Sequence, residues 1–324
     1  MMMPDDTMAV AVKNQGTYYV KPGTTLAELL PDGAADLLVA AKVDNYLRDL
    51  NFVLDKPCNV EAVDLSSENG FRIYRRSVVF MLAKACYDLF PERGLVTKNS
   101  LSNGLYCEFL ACRPSAEEVA ALEQHMKELS CKNIPINKLQ IKVKEAEKHL
   151  QRQNQHEKVS LLKGLPDSMV EIYELDGYYE YTYDFMVINT GMIPTFRIFK
   201  YDAGMILQIP GTRNKGLLRP YKEQKKIANL FNEAKEWAGM LQTPNVAALN
   251  EIIKRGGLDE IIRVNEALHE KKFAFIADQI CQDENIRLIL IAGPSASGKT
   301  TFAQRLHTQL RVNGKKPVDR KSVV

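Results

Sequence analysis

The 324-residue sequence has no apolar run approaching the roughly eighteen residues a membrane-spanning helix needs, so no such helix is expected. Its start, MMMPDDTMAV, lacks the basic segment and long apolar core of a signal peptide. The six cysteines, Cys58, Cys86, Cys107, Cys112, Cys131 and Cys281, form no C-x-x-C pair and keep no regular spacing. Free, mostly buried thiols in a reducing compartment are expected, not disulfides. His125, His149, His156, His269 and His307 show no ligand spacing, so no zinc is expected. A net charge of +3 is too small for bulk attraction to nucleic acid or membrane. There is no internal repeat and no low-complexity tract. What is left, 45% hydrophobic and 26% charged, describes a cytoplasmic protein of two or three domains.

Along the chain, Met8–Lys13 and Thr17–Val20 alternate polar and apolar residues around Asn14-Gln15-Gly16, which predicts a hairpin. A short helix over Leu26–Leu30 follows, with Thr24 as its cap. Short apolar segments at Leu37–Val43 and Phe52–Leu54 complete a small sheet ending near Ser67. Val78, Val79, Met81, Leu82, Ala85 and Leu89 predict a helix over Tyr74–Leu89. Ser115 and Glu118 form a capping-box signature ahead of Val119, Leu122, Met126 and Leu129. A polar helix is expected over Lys144–Asn154 and a sheet between Tyr173 and Pro210. Pro220–Gly239 and Val246–Ile280 read as helical, with Pro220 at a first helical position and a break at Gly256-Gly257. Leu258, Ile261, Ile262, Leu268, Phe275 and Ile276 make an apolar stripe expected to pack on a neighbour.

Residues 287–306 read RLILIAGPSASGKTTFAQRL. Leu288–Ala292 has the continuous apolar pattern of a buried parallel strand, and Thr301–Leu310 continues as a helix. Between them Gly293, Ser295, Ala296, Ser297, Gly298, Lys299, Thr300 and Thr301 match a phosphate-binding P-loop. Glycines at both ends let successive N–H groups face phosphate oxygens, backed by the helix N-terminus. Lys299 is then the catalytic phosphate clamp, and the Thr300 hydroxyl ligates Mg²⁺ beside bound ATP.

GPSASGKTTF resembles the uridine kinase family, and Glu266–Lys272 and Gln309–Gly314 resemble a bacterial branch of it with a long N-terminal extension. The resemblance implies transfer of phosphate from ATP to the 5′-hydroxyl of a pyrimidine nucleoside, uridine or cytidine. It also implies that the chain stops before the family's acidic pair, which comes soon after a segment like Lys315–Val318. Asp319–Val324 does not resemble what should follow, and one back-translation matches the start of a common sequencing adapter. The fragment itself is expected to be inactive, with a C-terminal stub that is poorly ordered or packs opportunistically.

Thr24–Leu30 and Val43–Leu50 resemble the ubiquitin-like TGS domain of threonyl-tRNA synthetases. The next block resembles those enzymes' second domain, which in bacteria hydrolyses mischarged seryl-tRNA. Arg75–Ala85 lines up with its H-S-x-x-H helix, Gly104–Phe109 with a glycine-aromatic strand, and Asn189-Thr190-Gly191 with the segment after C-x-x-x-H. Ser77 is retained, but Arg76, Phe80, Thr182 and Met186 stand where the resemblance implies metal- or proton-binding groups. Editing chemistry is therefore not expected, and Phe80 and Met186 are expected to fill the old cavity. Arg72, Arg75 and Arg76 either contact phosphates or form a solvated basic helix end, the commoner case. The same holds for Lys142, Lys144, Lys148 and Arg152, as RNA contacts or a solvated face.

The expected architecture is α+β and multidomain. A β-grasp module (1–67) precedes an editing-like α+β module (68–215), a helical connector (216–283) and the first strand, P-loop and helix of an α/β kinase (284–324). The main reading is a uridine kinase-like enzyme. The alternative is an RNA- or nucleotide-binding protein that uses the degenerate synthetase-like region. A metal-dependent tRNA hydrolase is disfavoured by Arg76, Phe80, Thr182 and Met186.

Overall fold

The computed structural model describes residues 7–30, 37–166, 168–213 and 216–320. Residues 1–6 and 321–324, which include part of the tail that does not match the expected continuation, lie outside the described residues. The chain divides into two units, Met1–Asn232 and Glu233–Val324. Among the described residues, no helix is long and apolar enough to cross a membrane.

In the first unit β1 (Met8–Val12) and β2 (Gly16–Val20) form the expected hairpin, with Met8 opposite Val20. Asn14 at φ 64° and Gly16 at φ 102° make its turn. The cap of α1 (Leu26–Leu29) is Thr25, not Thr24, because its hydroxyl accepts from the Glu28 N–H while the Glu28 carboxylate accepts from the Thr25 N–H. β3 (Leu38–Val43), β4 (Tyr46–Arg48) and β5 (Cys58–Asp64) complete a mixed sheet in the order β2-β1-β5-β3-β4. The middle strand β5 runs parallel to β1. Phe52–Leu54 contributes only a single bridge, from Val53 to Thr25.

α2 (Glu68–Leu89) starts well before Tyr74, because Ser67 caps it by accepting the Gly70 N–H at 3.0 Å. β6 (Leu95–Leu101), β7 (Gly104–Phe109) and α3 (Ala116–Lys132) follow, and all four residues of the α3 stripe are buried behind the expected capping box. β8 (Asn137–Lys142), α4 (Val143–Arg152), α5 (His156–Leu162), β9 (Met169–Leu175), β10 (Tyr178–Glu180), β11 (Arg197–Tyr201) and β12 (Gly204–Gln208) come next. The expected sheet after Tyr173 is split between two antiparallel sheets, β10-β9-β8 and β11-β12-β7-β6. The main core joins Tyr74, Phe80 and Met81 of α2 to Leu122 and Met126 of α3 and to Cys107 and Met205 of the four-stranded sheet. α6 (Lys225–Met240) begins beyond Pro220, so Pro220 is not its first residue. The stretch there is held to the sheet instead, with the Asn103 amide donating to the Arg219 carbonyl.

The second unit is helical. α7 (Val246–Lys254) and α8 (Leu258–Gln282) are separated where Gly256 takes φ 78°. α9 (Lys299–Val312) packs on α8 through Ala277, Leu306 and Leu310. The expected α8 stripe is largely exposed, with Leu258, Ile262 and Phe275 all accessible. The expected strand at Leu288–Ala292 is absent, and Leu288 and Leu290 are 74% and 83% exposed. A strand exists only through hydrogen bonds to neighbours, and this unit offers no strand among its described residues. The Leu288–Ile291 amides are therefore expected to exchange with solvent far faster than those of β7 and β12. Hydrogen-exchange mass spectrometry checks this, and equal protection would contradict it.

Candidate functional site

α2 turns Arg76, Phe80, Ala83 and Tyr87 toward one cavity of about 550 Å³ in the first unit. These positions recur at helical spacing and so share a face. β10 adds Tyr178 and Glu180, and the segment after it adds Thr182 and Met186. All four positions singled out by the synthetase resemblance thus meet at one place. Phe80 and Met186 are 1% and 2% exposed but do not fill the space. The cavity stays open because the α4–α5 junction, which forms another wall, is tied to β10 by hydrogen bonds. Gln153 Oε1 accepts from the Tyr179 N–H at 3.1 Å. Gln155 Nε2 donates to the Tyr178 hydroxyl at 3.1 Å and to the Tyr179 carbonyl at 3.0 Å.

Two polar atoms of this junction are buried with no hydrogen-bond partner among the described residues, Gln153 Nε2 and Gln155 Oε1. Gln153 is only 7% exposed, and both residues line the cavity. A buried polar group without a partner costs on the order of 1–3 kcal/mol, so a donor and an acceptor left in one cavity mark a place for a ligand. The sequence hides these two residues in Gln153-Asn154-Gln155, which reads as polar surface between helices. The only local signal is Asn154 at φ 58°, where the chain reverses.

The remaining groups have structural duties. Ser77 Oγ donates to the Ile73 carbonyl at 2.8 Å and accepts the Val187 N–H at 2.9 Å, stapling α2 to the chain beside Met186. Arg76 donates to the Phe185 carbonyl at 2.6 Å and pairs with Asp184 at 3.1 Å. Lys158 pairs with Glu180 across the wall. Burial pushes the Tyr178 phenol well above its usual range, helped by Glu180, and does the same for the Cys86 thiol. Both therefore stay protonated at neutral pH. Among the described residues no three His, Cys, Asp or Glu side chains group as a metal site. The cavity can hold a ligand, and its ionisable lining is His156, Glu157 and the Lys158–Glu180 pair beside Arg76.

Elsewhere, Arg72 pairs with Glu68 on its own helix. Lys142, Lys144, Lys148 and Arg152 line an open hollow with Glu145 and His149. His149 stacks on Tyr179 at 3.8 Å, and His125 contacts Asp88 at 2.9 Å. In the second unit Gly293, Ser295, Ala296, Ser297 and Gly298 form an exposed loop, and Lys299, Thr300 and Thr301 open α9. The Lys299 ammonium donates to the Pro294 carbonyl at 2.6 Å, within the loop itself.

All six cysteines are free: Cys58, Cys86 and Cys107 are buried, Cys281 is intermediate, and Cys112 and Cys131 are exposed. Burial lifts the Cys107 thiol to about 12, so at pH 8 it carries almost no thiolate. Cys112 and Cys131 are expected to react first with a thiol reagent at pH 8. Cys86 and Cys107 should react only on unfolding, as peptide mapping of the labelled protein will report.

No family model matches the chain. Curated threonine–tRNA ligases do. The protein of Acidithiobacillus ferrooxidans is 28% identical over 178 residues, which is 54% of this chain and 28% of that protein. That of Acetivibrio thermocellus is 25% identical over 198 residues, 60% of this chain and 31% of the relative. That of Francisella tularensis subsp. novicida is 25% identical over 197 residues, 58% and 31%. The chain spans about a third of the length of the curated relatives it matches. It carries a region similar to threonine–tRNA ligases within a mixed α+β protein of several sheets.

These relatives correct the main sequence reading. They carry the name of a ligase for tRNA, not of a nucleoside kinase. The assignment as a uridine kinase-like enzyme, with a P-loop serving nucleoside phosphorylation and uridine or cytidine as its substrate, is accordingly withdrawn. The kinase resemblance rests on short segments, Gly293–Thr301, Glu266–Lys272 and Gln309–Gly314, whereas similarity to the ligases runs over half of the chain or more.

Proposed function

We propose that this chain binds tRNA through its synthetase-like region and holds the terminal nucleotide in the α2–β10 cavity without hydrolysing it. The observation that carries the reading is the cavity itself. It presents a spare amide donor and a spare amide acceptor, Gln153 Nε2 and Gln155 Oε1, beside apolar Phe80 and Met186. Such a mix suits the polar edge and flat face of a base or sugar. Likeness to proteins named threonine–tRNA ligases supports tRNA as the partner. The strand order β2-β1-β5-β3-β4 with its crossing helix supports a β-grasp, TGS-like module over 1–67, followed by an editing-like module over 68–215 and a helical connector over 216–283. Filter binding of the full chain to unfractionated tRNA is the test. Binding that weakens steeply between low and moderate salt supports the proposal. Binding no tighter than to a polyanion such as heparin overturns it.

A second reading concerns the second unit. We infer that Gly293–Thr301 binds the phosphates of a nucleoside triphosphate such as ATP, with Thr300 a ligand for Mg²⁺. Ala296 at φ 58° and Gly298 at φ 79° turn the loop just ahead of a 14-residue helix, the local shape in which N–H groups converge on an anion. Lys299 would leave the Pro294 carbonyl for the phosphates. Retention of a fluorescent ATP analogue by the full chain, lost in Lys299→Ala, is the expected result; equal binding by both proteins contradicts it.

A further inference from the structure

α2 also sends Phe71 and Arg75 into a second pocket, of about 260 Å³, which shares no residue with the cavity. Three guanidinium-bearing residues reach it from three separate segments: Arg75 from α2, Arg213 from the loop after β12, and Arg219 from the stretch before α6. No carboxylate side chain is among its described lining residues. Thr212 adds a further hydroxyl to the lining, while the Ser102 hydroxyl donates to Asn103 Oδ1 at 3.4 Å.

The arrangement is built, not incidental. Gln208 is 1% exposed and donates its amide to the Arg219 carbonyl, which also accepts from Asn103 Nδ2 at 3.1 Å. Beyond it, Tyr221 packs edge-on against Phe199 at 5.0 Å and Tyr201 at 5.9 Å. The backbone that carries Arg219 is thereby fastened to the edge of the four-stranded sheet. Arg75 lies over the Phe71 ring at 5.9 Å, which restrains its guanidinium plane. A merely solvated basic surface needs neither a buried glutamine nor an aromatic cluster to hold its backbone. Beside the charges, Leu105 and Ile209 are 8% and 5% exposed and give the pocket an apolar floor.

Guanidinium forks match phosphate oxygens in pairs, and convergence from three directions suits a tetrahedral anion better than a planar carboxylate. A bare ion would make no use of the apolar floor, whereas a sugar or base would cover it. We propose that this pocket binds the phosphate of a nucleotide, with the attached sugar or base over Leu105 and Ile209. The nucleotide is either a free mononucleotide or one residue of an RNA strand. This site lies outside the α2–β10 cavity and does not depend on the function proposed for that cavity.

The test is calorimetry on the full chain in an Ala83→Trp background, which blocks the cavity and leaves this pocket untouched. The probes are inorganic phosphate, adenosine and uridine, their monophosphates, and a six-nucleotide RNA. Phosphate-bearing probes are expected to bind and the unphosphorylated nucleosides not to. Arg75→Gln and Arg219→Gln should each weaken binding by about tenfold, with thermal melts unchanged. Arg75→Lys, which keeps the charge but loses the fork, should be intermediate and serves if Arg75→Gln fails to fold. Monophosphate binding assigns the free ligand; binding of RNA alone assigns the strand. No binding by any phosphate-bearing probe, or unchanged binding in the folded arginine variants, overturns the proposal.

Discussion

Replacing Gly204 with alanine is expected to destabilise the first unit by about 3 kcal/mol, near the upper end for overpacking a core. A Cβ built there would lie 2.2 Å from the Cys107 carbonyl oxygen and 3.0 Å from the Tyr106 ring. The obstacle is the backbone of the adjoining strand, so a change of side-chain rotamer cannot relieve it. β12 would have to move away from β7, and every residue of both strands is buried. Moving either one disturbs the core that positions α2, and α2 lines both pockets. Urea denaturation monitored by circular dichroism gives the size of the loss. Gly239→Ala is the control, because its added methyl meets nothing within 4 Å and lies in a helix. That change should be neutral or stabilising by about 0.5–1 kcal/mol. A Gly204→Ala protein as stable as the parent would mean that β7 and β12 are not as close as described.

The second large effect is functional and opposite in sign to its effect on stability. Ala83→Trp puts an indole into the 550 Å³ cavity from a half-buried position on α2. The ring fills existing space, so it should bury apolar area at about 25 cal/mol per Å² and raise the melting temperature or leave it unchanged. It also occupies the volume proposed for the terminal nucleotide, and tRNA affinity should fall by about tenfold or more. A variant that unfolds would lose both properties together, so binding lost with stability kept points to the cavity alone. Undiminished tRNA affinity in the stable variant would place the RNA elsewhere on the protein.

The parts of the fold legible in the sequence are those whose causes are local. α3 announces itself by Ser115, Glu118 and a stripe at Val119, Leu122, Met126 and Leu129, and each of these acts within one helix. The β1–β2 hairpin is set by Asn14-Gln15-Gly16 in the same way. By contrast β5 is defined by long-range pairing with β1 and β3: Pro57 before it and Asp64-Leu65-Ser66 after it mark its ends but not its place between those strands. Leu288–Ala292 errs in the other direction. Its apolar run reads as a buried strand, but strand propensity has no effect without a sheet to join.

The site follows the same division. Arg76, Phe80, Thr182 and Met186 were found through resemblance, and the structure brings them to one cavity. That Phe80 and Met186 leave it open depends on where the α4–α5 junction lies, which no local pattern encodes. Gln153 and Gln155 were missed for that reason: their burial comes from tertiary packing, and their residue type suggests surface. Arg75 stood in a run of three arginines, but only packing separates its role from those of Arg72, held by Glu68, and Arg76, held by Asp184.

The central claim, binding without cleavage, is tested most directly by the lifetime of the ester bond in mischarged seryl-tRNA. The measurement uses a stoichiometric excess of the full chain, at a salt concentration where binding is complete. The account predicts a lifetime equal to or longer than in buffer alone, because Arg76, Phe80, Thr182 and Met186 line the cavity where the synthetase resemblance implies metal- or proton-binding groups, and Glu180 is held by Lys158. A lifetime shortened by the protein, and restored by Ala83→Trp, would show that the cavity cuts the ester and would contradict it.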